Sequence, residues 1–417
     1  MNIKNINPES LMMTYAYKPE LSEGAVKCPI FQTSTFVFKT AEEGKAFFEI
    51  AYGIRDKQPK EELGLIYSRI NNPNLEILEN RLCLWDKTED CAVFESGMSA
   101  ISTVLLEFLS PGDLLVYSNP LYGGTDHFIN NFLNKIGIHT LDIFPGESCE
   151  KIIEKINKTG LSDKLAMIYL ETPANPTNSL LDIQGIKEKV ANYFTQKNKY
   201  DVLIAVDNTY MGPLWQHPLE LGADLILYSA TKYIGGHSDL IAGAVLGNRE
   251  LMIRVKTLRT FLGNMISPHT AWLLLRSLET LKIRMDKQSE NAEKVADYLN
   301  NHIKVEKVYY LGLLEKDSEE YKIYKNQCSG PGAMLSFDIV GGEKEAFKFL
   351  NKLNLIKLAV SLGSTESLAQ HPVTMTHVAV EPKHREHLNI TEKLIRISIG
   401  VENYNDIISD IKQALDN

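Results

Sequence analysis

Lys232 lies where an apolar strand runs out into a glycine-rich turn, in LYSATKYIGGHSDLIAG. A lysine amine held at a strand end can condense with an aldehyde and carry a proton, provided its surroundings support that chemistry. By itself, a lysine after a strand is more often a solvated surface residue. The preceding apolar run, VLIAVD at 202–207, ends in Asp207. In an open parallel sheet, ligands bind outside the carboxyl ends of the strands, where this carboxylate would sit. There it can pair with a protonated pyridine nitrogen and keep such a ring electron-poor. The plainer reading of Asp207 is a helix N-cap.

Further upstream, CAVFESGMSAIS leads from a strand through Ser96, Gly97, Met98 and Ser99 into an apolar helix. Free backbone N–H groups at such a helix start suit a phosphate, although small residues also cap helices that bind nothing. Tyr122, in NPLYGGT, places a ring and a phenol on another loop after a strand, where it can stack on a flat ligand and move a proton. Core tyrosines are commoner than catalytic ones. Asn175, in ETPANPT, offers an amide to a ring oxygen or a substrate carboxylate, or else simply completes a turn. Arg396 interrupts the apolar strand LIRISIG, so it needs an anionic partner to offset its desolvation. That partner is either a structural carboxylate or a substrate α-carboxylate gripped in bidentate fashion, with help from the SLGSTESL loop that begins at Ser361.

The elements that must position these residues follow an alternating pattern. Apolar runs at 114–118, 165–171, 202–207 and 225–231 alternate with amphipathic segments at 123–136 and 148–160, predicting a largely parallel sheet covered by helices. After an apolar helix at 269–281 the pattern becomes α+β, with a helix in ENAEKVADYLNNH, a second in EKEAFKFLNKLN, and strands in GAMLSFDIV, LIKLAVS and LIRISIG. Three parts are therefore expected: an N-terminal arm over 1–71, a large domain over 72–285 and a small α+β domain over 286–417. The arm reads as irregular, lacks a core of its own, and contains a solvated charged loop at 56–62 (DKQPKEE).

Length and composition are consistent with this layout. A chain of 417 residues with 44% hydrophobic content can bury more than one core. A net charge of -9 argues against nucleic acid or an anionic membrane surface as partner. The five cysteines are scattered with no C-x-x-C pair, so neither a disulfide framework nor a metal site is expected. No apolar stretch reaches the about 18 residues needed to span a bilayer, and the protein is expected in the cytoplasm.

Taken together, YSRINNPNLEILE, ESGMSA, LYGGT, ETPANPT, AVDNTY, YSATKYIGGHSD, ESLAQHPVTMTH and LIRISIG closely resemble the Cys/Met-metabolism family of pyridoxal-phosphate (PLP) enzymes. This family includes methionine γ-lyase, the cystathionine γ-lyases, γ-synthases and β-lyases, and homoserine-ester sulfhydrylases. The resemblance covers nearly the whole chain and implies the α/β aspartate-aminotransferase type of fold. It implies Lys232 as the Schiff-base lysine, Asp207 as partner of the pyridinium, and Tyr122 as stacking ring and acid/base. It assigns the phosphate to Gly97, Met98, Ser229 and Thr231, with Tyr67 and Arg69 reaching the phosphate of a neighbouring subunit. A homo-oligomer follows, at least a dimer and by resemblance a tetramer.

Within the family, Val360 stands where cystathionine enzymes tend to carry glutamate, which inclines the chain toward methionine-like substrates. Two features depart from the methionine-specific pattern. The cysteine of the tyrosine loop is absent, since Tyr122 is followed by Gly123, Gly124 and Thr125, and a lysine–aspartate pair appears as Arg259 and Thr260. The expected activity is C–S elimination that releases a thiol, an α-keto acid and ammonia. The alternatives are γ-replacement on an activated homoserine ester, or a PLP-binding regulator without turnover, which would have no need for Lys232, Asp207, Tyr122 and Arg396 together.

Overall fold

Apolar runs bounded by turn residues become the strands of one sheet in a computed structural model of the chain. It describes residues 6–416 except 52, 59, 60, 62, 63, 199, 200, 379–384, 386 and 387, so part of the charged loop at 56–62 lies outside the described residues. The strands are β1 (Asp90–Phe94), β2 (Leu114–Ser118), β3 (His139–Ile143), β4 (Leu165–Glu171), β5 (Leu203–Asp207), β6 (Leu225–Tyr228) and β7 (Gly243–Gly247). Their order across the sheet is β1-β7-β6-β5-β4-β2-β3. β2, β3, β4, β5 and β6 pair in parallel, while β7 runs antiparallel to both β6 and β1. β1 therefore points the same way as the parallel strands. One edge of the sheet gathers the carboxyl ends of β1, β2, β4, β5 and β6.

Burial on both faces accounts for the unbroken apolar runs. Tyr117, Met167, Tyr169 and Leu227 pack into one core with the helix Gly97–Phe108, while Val116, Ile168, Val206 and Phe194 pack into another. β3 and β7 are additions to the expected strands. β3 is only partly buried and carries no apolar run, and β7 is a short segment bounded by glycine, so neither has a strong periodic signal. β6 ends at Tyr228, which leaves Ser229 to Lys232 outside the sheet.

The N-terminal segment is less irregular than its sequence suggests. It contains a helix, Ala41–Ala51, and Phe38 meets Phe47 and Phe48 edge-on at 5.9 and 6.3 Å between ring centroids. Met12 and Cys28 are buried in the large core shared with Trp85, Tyr228 and Phe337, so the segment draws on the main core rather than building one.

In the C-terminal half, the helix Leu281–Asn300 runs straight through residue 285. Beyond it, β8 (Val305–Tyr309), β9 (Met334–Ile339), β10 (Lys357–Leu358), β11 (Leu368–Gln370) and β12 (Leu394–Ser398) form a second sheet in the order β10-β11-β12-β9-β8. The LIKLAVS run pairs only at Lys357 and Leu358. Val360 and Ser361 are thereby left in a loop. Arg396 sits on β12, beside Ser336 of β9 and Gln370 of β11.

Candidate active site

Side chains alternate across a strand, so the residues that end β4, β5 and β6 divide between the two faces of the sheet. Glu171, Asp207 and Ser229 line a cavity of about 250 Å³ at the carboxyl edge, together with Ser96, Gly97, Met98, Tyr122, Asn175, Thr209, Tyr210, Thr231, Lys232 and Leu362. Their chain neighbours Thr172, Asn208 and Tyr228 are buried. Behind the cavity wall the Gln216 amide donates to the Thr172 carbonyl (2.7 Å) and to Asn208 Oδ1 (3.0 Å). Asn208 Nδ2 donates to the Tyr228 hydroxyl (2.9 Å), which donates in turn to the Asp86 carboxylate (3.0 Å). This lacing holds three strand ends in register.

Lys232 reaches Ser361, its amine donating to the serine Oγ at 3.0 Å. Burial first, and then the Arg396 charge, bring the amine down to about 8, so its neutral form is accessible near physiological pH. Asp207 is buried, with Thr209 N–H donating to Oδ1 at 3.1 Å and the Tyr169 hydroxyl to Oδ2 at 3.4 Å. Burial raises its carboxyl above the usual carboxylate range. Among the described residues no cation pairs with it, which leaves room for a cationic ring nitrogen.

At the start of the helix Gly97–Phe108, Ser96 Oγ accepts from Ser99 N–H at 3.0 Å. The N–H groups of Gly97 and Met98 have no partner among the described residues, and the helix dipole favours an anion in front of them. A Cβ at Gly97 would lie 2.9 Å from Ser229 Cβ and 3.1 Å from its Cα, so only glycine lets these two backbones approach. Ser229 N–H donates to Thr209 Oγ1 (2.8 Å), and the Thr231 hydroxyl donates to the Ala242 carbonyl (3.1 Å). The glycine, the two free N–H groups and the hydroxyls form a phosphate-sized cradle.

Arg396 is 2% exposed and has no carboxylate within ion-pair distance among the described residues. It donates to Asn175 Oδ1 at 3.0 Å and to the Ser361 carbonyl at 2.6 Å, while its Nε has no partner. Ser361, between Lys232 and Arg396, has a φ of 150°, a conformation that favours glycine and that structures tend to hold at functional sites. A buried guanidinium held by two neutral acceptors can receive an anion. Of the two partners considered for Arg396, the structural carboxylate is absent among the described residues.

Three of the expected site residues, Val360, Tyr67 and Arg69, are not among the residues that line this cavity within one chain. Val360 is 57% exposed. Arg69 donates to the Thr260 carbonyl at 2.9 Å and lies 5.7 Å from the centroid of the Tyr67 ring. Arg259 is buried against Glu79 (2.6 Å) and the Val93 carbonyl (2.9 Å), so it serves the core. Conversely, Glu171, Thr209 and Tyr210 line the cavity without having been picked out from sequence. Glu171 closes the run LAMIYLE just as Asp207 closes VLIAVD, and that parallel was the available signal.

The donor set fits PLP: an aldehyde-competent lysine, a buried acid without a cation, and a cradle with two free N–H groups. The comparisons agree. A model described as Cys/Met metabolism PLP-dependent enzyme matches residues 9–416. L-methionine gamma-lyase from Pseudomonas putida is 38% identical over 405 residues, 96% of this chain and 95% of the relative. Cystathionine gamma-lyase from Bacillus subtilis is 37% identical over 414 residues, 98% of this chain and 99% of that one. Among solved structures, cystathionine gamma synthase from Xanthomonas oryzae pv. oryzae, in complex with aminoacrylate and cysteine, superposes with a TM-score of 0.86 at 31% identity, covering 99% of this chain and 98% of that chain. With the strand-end lysine, acid and cradle in one cavity and the match running from residue 9 to 416, the chain belongs to the Cys/Met metabolism family of PLP-dependent enzymes.

Proposed function

We propose that the protein is a C–S lyase of sulfur amino acids, releasing a thiol, an α-keto acid and ammonia from methionine or cystathionine. The observation that carries this reading is the chain of hydrogen bonds that joins Lys232 and Asn175, which line the cavity with Asp207, to Ser361 and Arg396. Arg396 and Asn175 would grip the substrate α-carboxylate and so set the α-carbon beside the lysine. When bound, PLP supplies an electron sink for negative charge at that carbon.

Lys232, with its neutral amine accessible, takes the α-proton and then serves a proton transfer at the β-carbon. Tyr122, on the loop at the cavity mouth, protonates the departing sulfur. Asp207 would hold the ring nitrogen protonated, and Gly97, Met98, Ser229 and Thr231 would hold the phosphate. The relatives named methionine and cystathionine gamma-lyase support this choice. The structural likeness to a cystathionine gamma synthase supports γ-replacement as the second reading.

Tyr67 and Arg69, exposed and not among the residues lining their own cavity, are the residues that a second copy of the chain would receive at its phosphate. The working unit in this reading is a homodimer or a tetramer built from dimers. The free state of Cys28, Cys83, Cys91, Cys149 and Cys328 suits the reducing cytoplasm. A substrate panel tests the assignment: purified holoenzyme should form keto acid and thiol from methionine or cystathionine. Turnover confined to an activated homoserine ester with cysteine would replace the lyase reading by γ-replacement.

A further inference from the structure

Among the described residues, Glu171 is the one acidic side chain that lines the cavity besides Asp207. It pairs in register with Asp207 on the neighbouring strand, which puts two buried carboxylates one strand spacing apart. Its Oε2 accepts from Tyr122 N–H at 2.6 Å and its Oε1 from Asn175 N–H at 3.3 Å. Its own N–H donates to Ser118 Oγ at 2.8 Å, at the end of β2. The carboxylate thus spans two loops, each bearing one site side chain, and both tethers are backbone amides whose donors reward the ionised acid.

We propose that Glu171 is a positioning residue that couples the charge facing Asp207 to the placement of Tyr122 and Asn175. Burial and the adjacent Asp207 push the Glu171 carboxyl up to about 8, against the pull of the two amides. A cation arriving opposite Asp207 relieves the like-charge repulsion, Glu171 ionises, and both amide tethers strengthen. The stacking tyrosine and the carboxylate-gripping asparagine would then tighten only when a cationic ring nitrogen is in place. Substrate would therefore meet the clamp at its most firmly held in the loaded enzyme.

This inference rests on the PLP site proposed above, and amide hydrogen exchange separates the two. In the wild type, adding PLP to apoenzyme should slow exchange at the Tyr122 and Asn175 amides. In E171Q, which keeps the size but loses the charge and one acceptor, the visible band of bound PLP should still form, while the added protection at these amides falls by about tenfold. Steady-state kinetics of E171Q should show KM raised along with a fall in kcat, because Asn175 supports Arg396. E171A, lacking both acceptors, should lose the protection entirely.

Equal PLP-induced protection at both amides in wild type and E171Q would overturn the proposal, and so would a wild type in which PLP protects neither amide. Failure of the underlying site would look different. No visible band would form in the wild type at all, and this inference would fall with it. Comparing the apoenzymes keeps the result interpretable: equal melting temperatures for apo wild type and apo E171Q are expected, and an E171Q that melts far lower would assign Glu171 to the scaffold instead.

Discussion

At the scale of single residues, the cavity is governed by charges that lack ordinary partners. Lys232 has a folded-state pKa of about 8, below that of an exposed lysine, through burial and the Arg396 charge. Its neutral amine is therefore scarce below that pH and dominant above it. Reconstitution of apoenzyme with PLP, followed by visible absorbance, should accelerate by about tenfold per pH unit below this value and level off above it. The same depression means that the protonated lysine costs the folded apoenzyme stability as pH falls from the unfolded-state pKa through about 8. Apo Lys232→Met should accordingly melt higher than apo wild type at neutral pH, and the gap should close in alkaline buffer. For Arg396, deleting a charge-assisted pair costs about 1.5–3 kcal/mol, roughly ten- to hundredfold in affinity. Arg396→Ala should show that rise in KM while the visible spectrum of bound PLP is unchanged.

Elements decide whether such residues meet. Alternation at the ends of β4, β5 and β6 sends Glu171, Asp207 and Ser229 into the cavity and Thr172, Asn208 and Tyr228 into the lacing behind it. Asp86, at the end of the helix Pro73–Asp86, accepts the Tyr228 hydroxyl through both oxygens. Asp86→Ala would leave the proton of that hydroxyl without its acceptor in the core, and thermal denaturation should show a loss of about 1–3 kcal/mol. Gly97→Ala tests the other contact of β6. Its Cβ meets Ser229 at 2.9 Å, so the helix start must lift away and PLP should dissociate faster. The lysine, the aspartate and the glycine turn were legible in sequence because each follows an apolar run. The Asp86 and Gln216 lacing was not, since neither residue belongs to a periodic pattern and both act on strands distant in the chain.

At the scale of the whole molecule, Tyr67 and Arg69 belong to a surface that its own active site does not use. If they serve a neighbouring copy, subunits of Arg69→Ala and Lys232→Ala should each be inactive alone. Mixed and reassociated, heterodimers carry both defects in one site and leave the other intact, so activity should return to roughly a quarter of wild type for random C₂ pairing. A mixture that stays inactive while forming heterodimers, seen by mass spectrometry of differently tagged subunits, would place these residues outside the neighbour's site.

By itself, the sequence determined the α/β class, the strand ends that carry Asp207 and Lys232, the glycine that opens the cradle, and the family. Those features depend on local rules: apolar runs bounded by turns, and residue types confined to one backbone conformation or one chemistry. Only the tertiary structure decided that Arg396 lacks a carboxylate partner among the described residues, that Val360 faces solvent, that Arg259 serves the core, and that Glu171 stands beside Asp207. Strand order and the shape of connecting loops set these outcomes. They arise from packing between segments far apart in the chain, where periodicity carries no signal.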